Sequence, residues 1–172
     1  MDQIKGDRLS TIFDRFTTTY TLYNGLYTES YKLLKKQNNL SKKRYSEFEK
    51  ATDLVLQYNN ADEIVEHLEI NNHSHDISQV VNSIRNEIFC IFIIDGIPQK
   101  QSDIQLVDNF NNSDNYIKTK ALLSLIYKVR CNLLHGSKHF EEIQRLLLEP
   151  LTRILQTIVN LQIEKLKNSY AN

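Results

Sequence analysis

The stretch KVRCNLLHGSK, residues 128–138, sets an arginine five positions ahead of a histidine, with an asparagine between them. Arg130 carries a planar, permanently charged fork that matches phosphate oxygens. His135 exchanges a proton near neutral pH, which suits general acid or base work. Those two groups suit the cleavage of an RNA phosphodiester. RNA supplies its own nucleophile, the 2′-hydroxyl, so a protein has only to position it, move protons and neutralise the phosphorane. The product of that chemistry is a 2′,3′-cyclic phosphate, and no metal is needed for it. The same residues also have a structural use. A histidine in the last turn of a helix meets the helix's negative end, and Gly136 is suited to the C′ position that ends one.

Spacing constrains how the pair can act. Five positions on a regular helix place Arg130 and His135 about 140° apart, so they do not share a face. Either the helix ends before His135, or each residue meets its counterpart across a two-fold axis. Leu123, Tyr127 and Leu134 form a second, smaller apolar stripe beside Arg130. A helix apolar on two sides is packed on two sides, and a second subunit is one candidate for the outer contact.

The elements that position the motif read as helices. From about Asp7 to Lys36, Phe13, Phe16, Tyr20, Tyr23, Tyr27 and Leu34 fall at three–four spacing, with Ser30 in the skipped slot. Three tyrosines in that stripe bring hydroxyls that need partners, at a site wall or a subunit contact. Ser41 is the expected N-cap of a second helix with Tyr45, Phe48, Ala51 or Thr52, and Val55 inward. NADEIVEHLEI predicts a short acidic helix, NNHSHD a break, and DISQVVNSIRNEIFCIFIID a helix running to Gly96 and Pro98. The IFCIFII portion is taken as helix because no second strand is visible to pair with it. IPQKQSDIQLVDNFNNSDN predicts a long polar connection whose asparagine-rich half is mobile. A helix from Tyr116 carries Leu122, Leu125, Ile126, Val129 and Leu133 on its inner face. A last helix covers roughly 139–168, kinked or restarted at Pro150. The expected fold is a single all-α domain over residues 1–172: an up-and-down four-helix core with extra short helices.

Composition agrees and excludes several classes. The 172 residues include only four Gly and two Pro, too few for a barrel or sandwich of many short strands. No run approaches the roughly 18 apolar residues of a membrane span, and MDQIKGDRLS lacks the apolar core of a signal peptide. Cys90 and Cys131 are the only cysteines and are expected as free thiols in a cytoplasmic protein. The net charge of zero hides segregation: residues 1–60 carry +3, residues 61–115 carry −8 and residues 116–172 carry +5. A balanced chain cannot coat nucleic acid without discrimination, so contact with RNA is expected to be local. The acidic segment could meet an inhibitory protein or screen the cleft.

Other groupings carry less. His73, His75 and Asp76 lack the second Cys/His pair of a zinc loop and are expected in a solvated loop, with Cys90, Cys131 or His139 as the only candidates to complete a shell. Cys131 lies four residues before His135, but no orienting group or oxyanion feature accompanies them, so a buried thiol is expected. Lys128 and Lys138 flank the motif and are candidate phosphate contacts. Asn24, beside the tyrosine stripe, either lines the cleft or hydrogen-bonds inside the bundle.

RCNLLHG resembles the Arg-x4-6-His motif of the HEPN superfamily (higher eukaryote and prokaryote nucleotide-binding domains), and RFTTTYTLYNGLYTES is similar to the aromatic first helix of prokaryotic HEPN proteins. The resemblance implies a helical bundle that dimerises so that two motifs share one cleft. It also implies a metal-independent endoribonuclease, without cofactor, in a toxin, abortive-infection or other anti-phage system. By similarity, Arg130 binds the scissile phosphate, His135 is the general acid or base, and Asn132 orients one of them. Two departures qualify this. Cys131 stands where the family often has a polar residue, which leaves a non-catalytic RNA- or nucleotide-binding or scaffolding domain as the alternative. Ser137 stands where members silenced by nucleotide transfer carry tyrosine, so that regulation is not expected.

Overall fold

Helix α1 (Leu9–Lys36) buries Ile12, Phe16, Tyr20, Tyr23, Tyr27, Ser30 and Leu34 along one side, the stripe that the spacing predicts, with Phe13 at its half-buried edge. The computed structural model describes residues 8–134 and 142–171. The threonines of α1 turn their hydroxyls onto carbonyls one turn back, as Thr19 does on Arg15 at 2.7 Å and Thr21 on Thr17 at 2.8 Å. Polar groups that would compete with the helix are thereby satisfied inside it.

The second helix begins at Ser46 rather than Ser41. Ser46 accepts from the Glu49 backbone N–H while the Glu49 carboxylate accepts from the Ser46 N–H, a reciprocal capping box. Ser41 instead hydrogen-bonds the Tyr45 hydroxyl. Helix α2 (Glu47–Glu49) continues through a π-helical turn, Lys50–Leu54, into α3 (Val55–Asn59). The buried Tyr23 hydroxyl donates to the Ala51 carbonyl of that turn at 2.5 Å, tying it to α1.

Helices α4 (Ala61–Ile70) and α5 (Ser74–Arg85) follow. This glycine-poor chain turns its helix ends with asparagine: Asn38, Asn60 and Asn72 all take positive φ, at 57°, 68° and 58°. Asparagine tolerates that conformation because its short polar side chain bonds locally.

Helix α5 stops at Arg85, so the expected helix through IFCIFII is not formed. Ile93–Ile94 (β1) pairs antiparallel with Ile97–Pro98 (β2) across Asp95-Gly96, whose φ values are 49° and 77°. Positive φ at both central positions is the backbone of a tight hairpin, and Asp-Gly between isoleucines is its signal. The partner strand was present in the sequence but only two residues long. The segment leading into it is held by the Asp103 carboxylate, which accepts from the Ile91 N–H at 3.2 Å and the Phe92 N–H at 3.0 Å. Asp103 belongs to α6 (Lys100–Phe110), a helix inside the stretch expected to be a long polar connection. Leu106 and Val107 bury its inner side. Only Asn111–Asp114 remain as loop before α7 (Asn115–Leu134).

Helix α7 is apolar on nearly every side. Leu122, Leu125, Ile126 and Val129 are buried as expected, and so are Ala121 and Leu123. Two residues of the second stripe are covered by this chain itself: Leu123 is fully buried, and the Tyr127 ring meets Phe48 edge-on at 5.3 Å. After a 3₁₀ turn, Glu142–Gln144, helix α8 (Arg145–Ala171) packs against α1, α4 and α5. It runs antiparallel to α5, since His73 meets Thr157, Asp76 meets Arg153 and Gln79 meets Leu146. Pro150 lies inside α8. Proline has no N–H for the carbonyl four residues earlier, and the Gln79 amide donates to that carbonyl, Leu146, at 3.0 Å. The fold is all-α with one minimal hairpin. No helix among the described residues is long and apolar enough to cross a membrane.

Candidate functional site around Arg130

Arg130 sits one turn before the end of the described part of α7, half-buried. Its guanidinium lies over the Tyr20 ring, 5.5 Å from the centroid. It makes no hydrogen bond or ion pair with a described residue. An arginine held by a π face keeps its N–H fork for another partner.

The support beneath it is a tyrosine ladder. Tyr20, Tyr23 and Tyr27 meet edge-on, at 5.7 Å and then 5.3 Å between centroids. Burial, first, pushes all three phenols above their ordinary value, Tyr27 to about 12 and Tyr20 and Tyr23 well above it. The Tyr20 hydroxyl is buried without a hydrogen bond of ordinary length, although Tyr27 is near enough to affect its ionisation. Tyr27 donates to Glu47 at 3.2 Å. Lys50 bonds Glu47 at 2.6 Å and, outweighing partial burial, holds its carboxyl below the usual range, with smaller help from Tyr27 and Arg130. Glu47 is thus spent on Lys50 and Tyr27, and no carboxylate among the described residues bonds Arg130.

The neighbouring motif residues point elsewhere. Asn132 donates its amide to the Ile91 carbonyl at 2.9 Å, toward the segment before the hairpin and about 160° around α7 from Arg130. Lys128 places its ammonium 5.5 Å from the centre of the Phe92 ring, toward the same segment. Cys131 is a half-buried free thiol beside the Tyr127 hydroxyl; burial, then the thiol, raises that phenol. Asn24 is half-buried on α1 near Tyr20 and accepts from the Thr28 hydroxyl at 3.4 Å. His135 and Lys138 lie outside the described residues, as do Gly136, Ser137 and His139.

The HSHD segment is no solvated loop. His73 is buried, with Nδ1 2.9 Å from Asp76 and Nε2 2.8 Å from the Thr157 hydroxyl. Arg153 adds two bonds to Asp76, at 2.5 and 3.2 Å. Burial alone would raise the Asp76 carboxyl, but Arg153 and His73 together outweigh it and hold it low. His75 is exposed. Among the described residues no three His, Cys, Asp or Glu side chains gather as a metal site.

Sequence reasoning named Arg130 but missed its support. Tyr20 was legible as a stripe residue with a hydroxyl to satisfy; that its ring carries the arginine depends on how α1 meets α7. No family model, curated protein or solved structure matches this chain.

Proposed function

We propose that this protein is a HEPN-type, metal-independent endoribonuclease that works as a homodimer with a composite site, in a toxin or anti-phage defence setting. The observation that carries the reading is Arg130: a half-buried guanidinium, stacked on Tyr20, with no carboxylate partner among the described residues. Such a group is pre-organised for an anion, and a phosphate oxygen pair is the anion its fork fits best.

In this reading Arg130 binds the scissile phosphate and neutralises charge that grows on its oxygens. His135 takes the proton of the 2′-hydroxyl, and a second histidine, from the other subunit, delivers one to the leaving 5′-oxygen. The 2′-oxygen–phosphorus bond forms as the phosphorus–5′-oxygen bond breaks, leaving a 2′,3′-cyclic phosphate. Lys138 contributes to phosphate binding nearby. Asn132, bonded to Ile91, acts by steadying the end of α7.

Incubation of the purified protein with cellular RNA in EDTA tests this. Cleavage that disappears in Arg130→Ala and in His135→Ala, with folding intact, supports it; no cleavage of any RNA overturns it. The second reading, an RNA- or nucleotide-binding domain that does not cut, is favoured by the commitment of Asn132 to a backbone carbonyl and by Cys131 beside Arg130.

A further inference from the structure

Six of the partly exposed side chains of α7 fall on one side of the helix. At about 100° per residue, Lys120, Ser124, Tyr127 and Cys131 fall within about 60° of one another, with Lys128 bounding the stripe on one side and Arg130 on the other. All six are half-buried, as the floor of a channel would be. On one side the Phe48 ring meets Tyr127, and Asp53 bonds both Lys120, at 2.6 Å, and the Tyr116 hydroxyl, at 3.3 Å. On the other side stands α6. Gln101, Gln105 and Asn109, at four-residue intervals on α6, face Tyr116, Lys120 and Ser124 across a groove of about 710 Å³. Phe92 also lines it, and the Lys128 ammonium lies over that ring.

The lining has a definite chemistry. Carboxamides both donate and accept; Gln105 gives one N–H to Asn109 Oδ1 at 3.3 Å, and the donors and acceptors that remain in the row match the edges of unpaired bases. Tyr116 and Phe92 offer rings on which bases stack. Lys120 gives one donor to Asp53 and retains two, and Lys128 makes no ion pair with a described residue. A duplex keeps its base edges paired and presents them poorly to such amides.

We infer that this groove binds single-stranded RNA next to the scissile phosphate, its bases against the α6 amides and its phosphates at Lys120 and Lys128. The inference rests on the nuclease reading for the location of the cut at Arg130. Ten residues of α7 separate Lys120 from Arg130, about 15 Å along the axis, a distance that a few nucleotides span.

The test is fluorescence anisotropy of the full chain with a labelled single-stranded RNA of about ten nucleotides, blocked at every 2′-oxygen by methylation so that it cannot be cut. Gln101→Ala/Gln105→Ala/Asn109→Ala, on the outer side of α6, weakens binding about tenfold. Ser124→Glu, which sets a carboxylate in the floor, weakens it further. Unchanged affinity in both variants, with the circular dichroism of the parent, overturns the groove assignment. A duplex bound as tightly as the single strand overturns it as well. If the parent cuts no RNA while both variants still lose binding, the nuclease reading falls and the groove stands.

Discussion

The Arg130 guanidinium lies over the Tyr20 ring, 5.5 Å from its centroid, and the nearby Glu47 carboxylate is bonded to Lys50 and Tyr27 instead. A π face holds a cation in place while leaving its donors unsatisfied. In the nuclease reading Tyr20 is a positioning residue, and its ring and its hydroxyl are expected to have separable effects. Tyr20→Phe keeps the ring and removes a buried hydroxyl that lacks a hydrogen bond of ordinary length. Its stability is expected to equal or exceed that of the parent by about 1 kcal/mol, with RNA cleavage retained. Tyr20→Leu removes the stacking surface and is expected to lower kcat about tenfold, the equivalent of a cation–π contact. Thermal melts and single-turnover cleavage measure the two effects; equal loss in both variants would remove the role given to the ring.

The tyrosine ladder predicts alkaline sensitivity. In the unfolded chain these phenols ionise near pH 10. In the fold, burial above all keeps Tyr20, Tyr23 and Tyr27 protonated, Tyr27 until about 12. Above about pH 10 the folded state thus binds more protons than the unfolded one, and stability falls as pH rises. Each phenol contributes a slope of about 1.4 kcal/mol per pH unit. Urea midpoints between about pH 9 and 12 should fall steeply, and Tyr27→Phe should flatten that fall by one proton's worth.

Asp76 predicts the opposite edge. Its carboxyl lies below the ordinary aspartate value, because Arg153 and His73 outweigh burial. A depressed pKa contributes stability above the unfolded value of about 3.9, and that contribution is lost as pH falls toward the folded one. Asp76→Asn should cost about 2 kcal/mol at pH 7. The gap between parent and variant should narrow below about pH 4, which denaturant titrations at a series of pH values will read.

Pro150 and Gln79 are expected to be coupled. Gln79→Ala leaves the Leu146 carbonyl without its donor and should cost about 1 kcal/mol. Pro150→Ala restores a backbone N–H to the same carbonyl, so Gln79→Ala should cost less in that background. Additive costs in a double-mutant cycle would remove the coupling.

How much of this was legible in the residues follows from what is local. The tyrosine stripe of α1 and the inner face of α7 were readable because helical periodicity repeats within each segment. The α6 amides were missed, because the polar composition of the stretch masked a helix that buries little beyond Leu106, Val107 and Asp103. The hairpin was missed because two residues per strand leave no alternation to detect, although Asp95-Gly96 marks the turn.

Helical class thus came from side-chain chemistry and spacing, which a linear chain carries in full, and the same chemistry singled out Arg130 as a candidate. Packing alone decided which neighbour each group would meet. Tyr20 and Arg130 are 110 positions apart in the chain, and nothing local determines that a ring, rather than a carboxylate, lies beneath the guanidinium. The outer stripe of α7 was equally undecided, because Leu123 is as apolar against its own chain as against a second subunit. The packing of α7 on α4, α6 and the π turn, with Tyr20 of α1 brought to Arg130, settled both, since long-range contacts depend on how whole helices fit together.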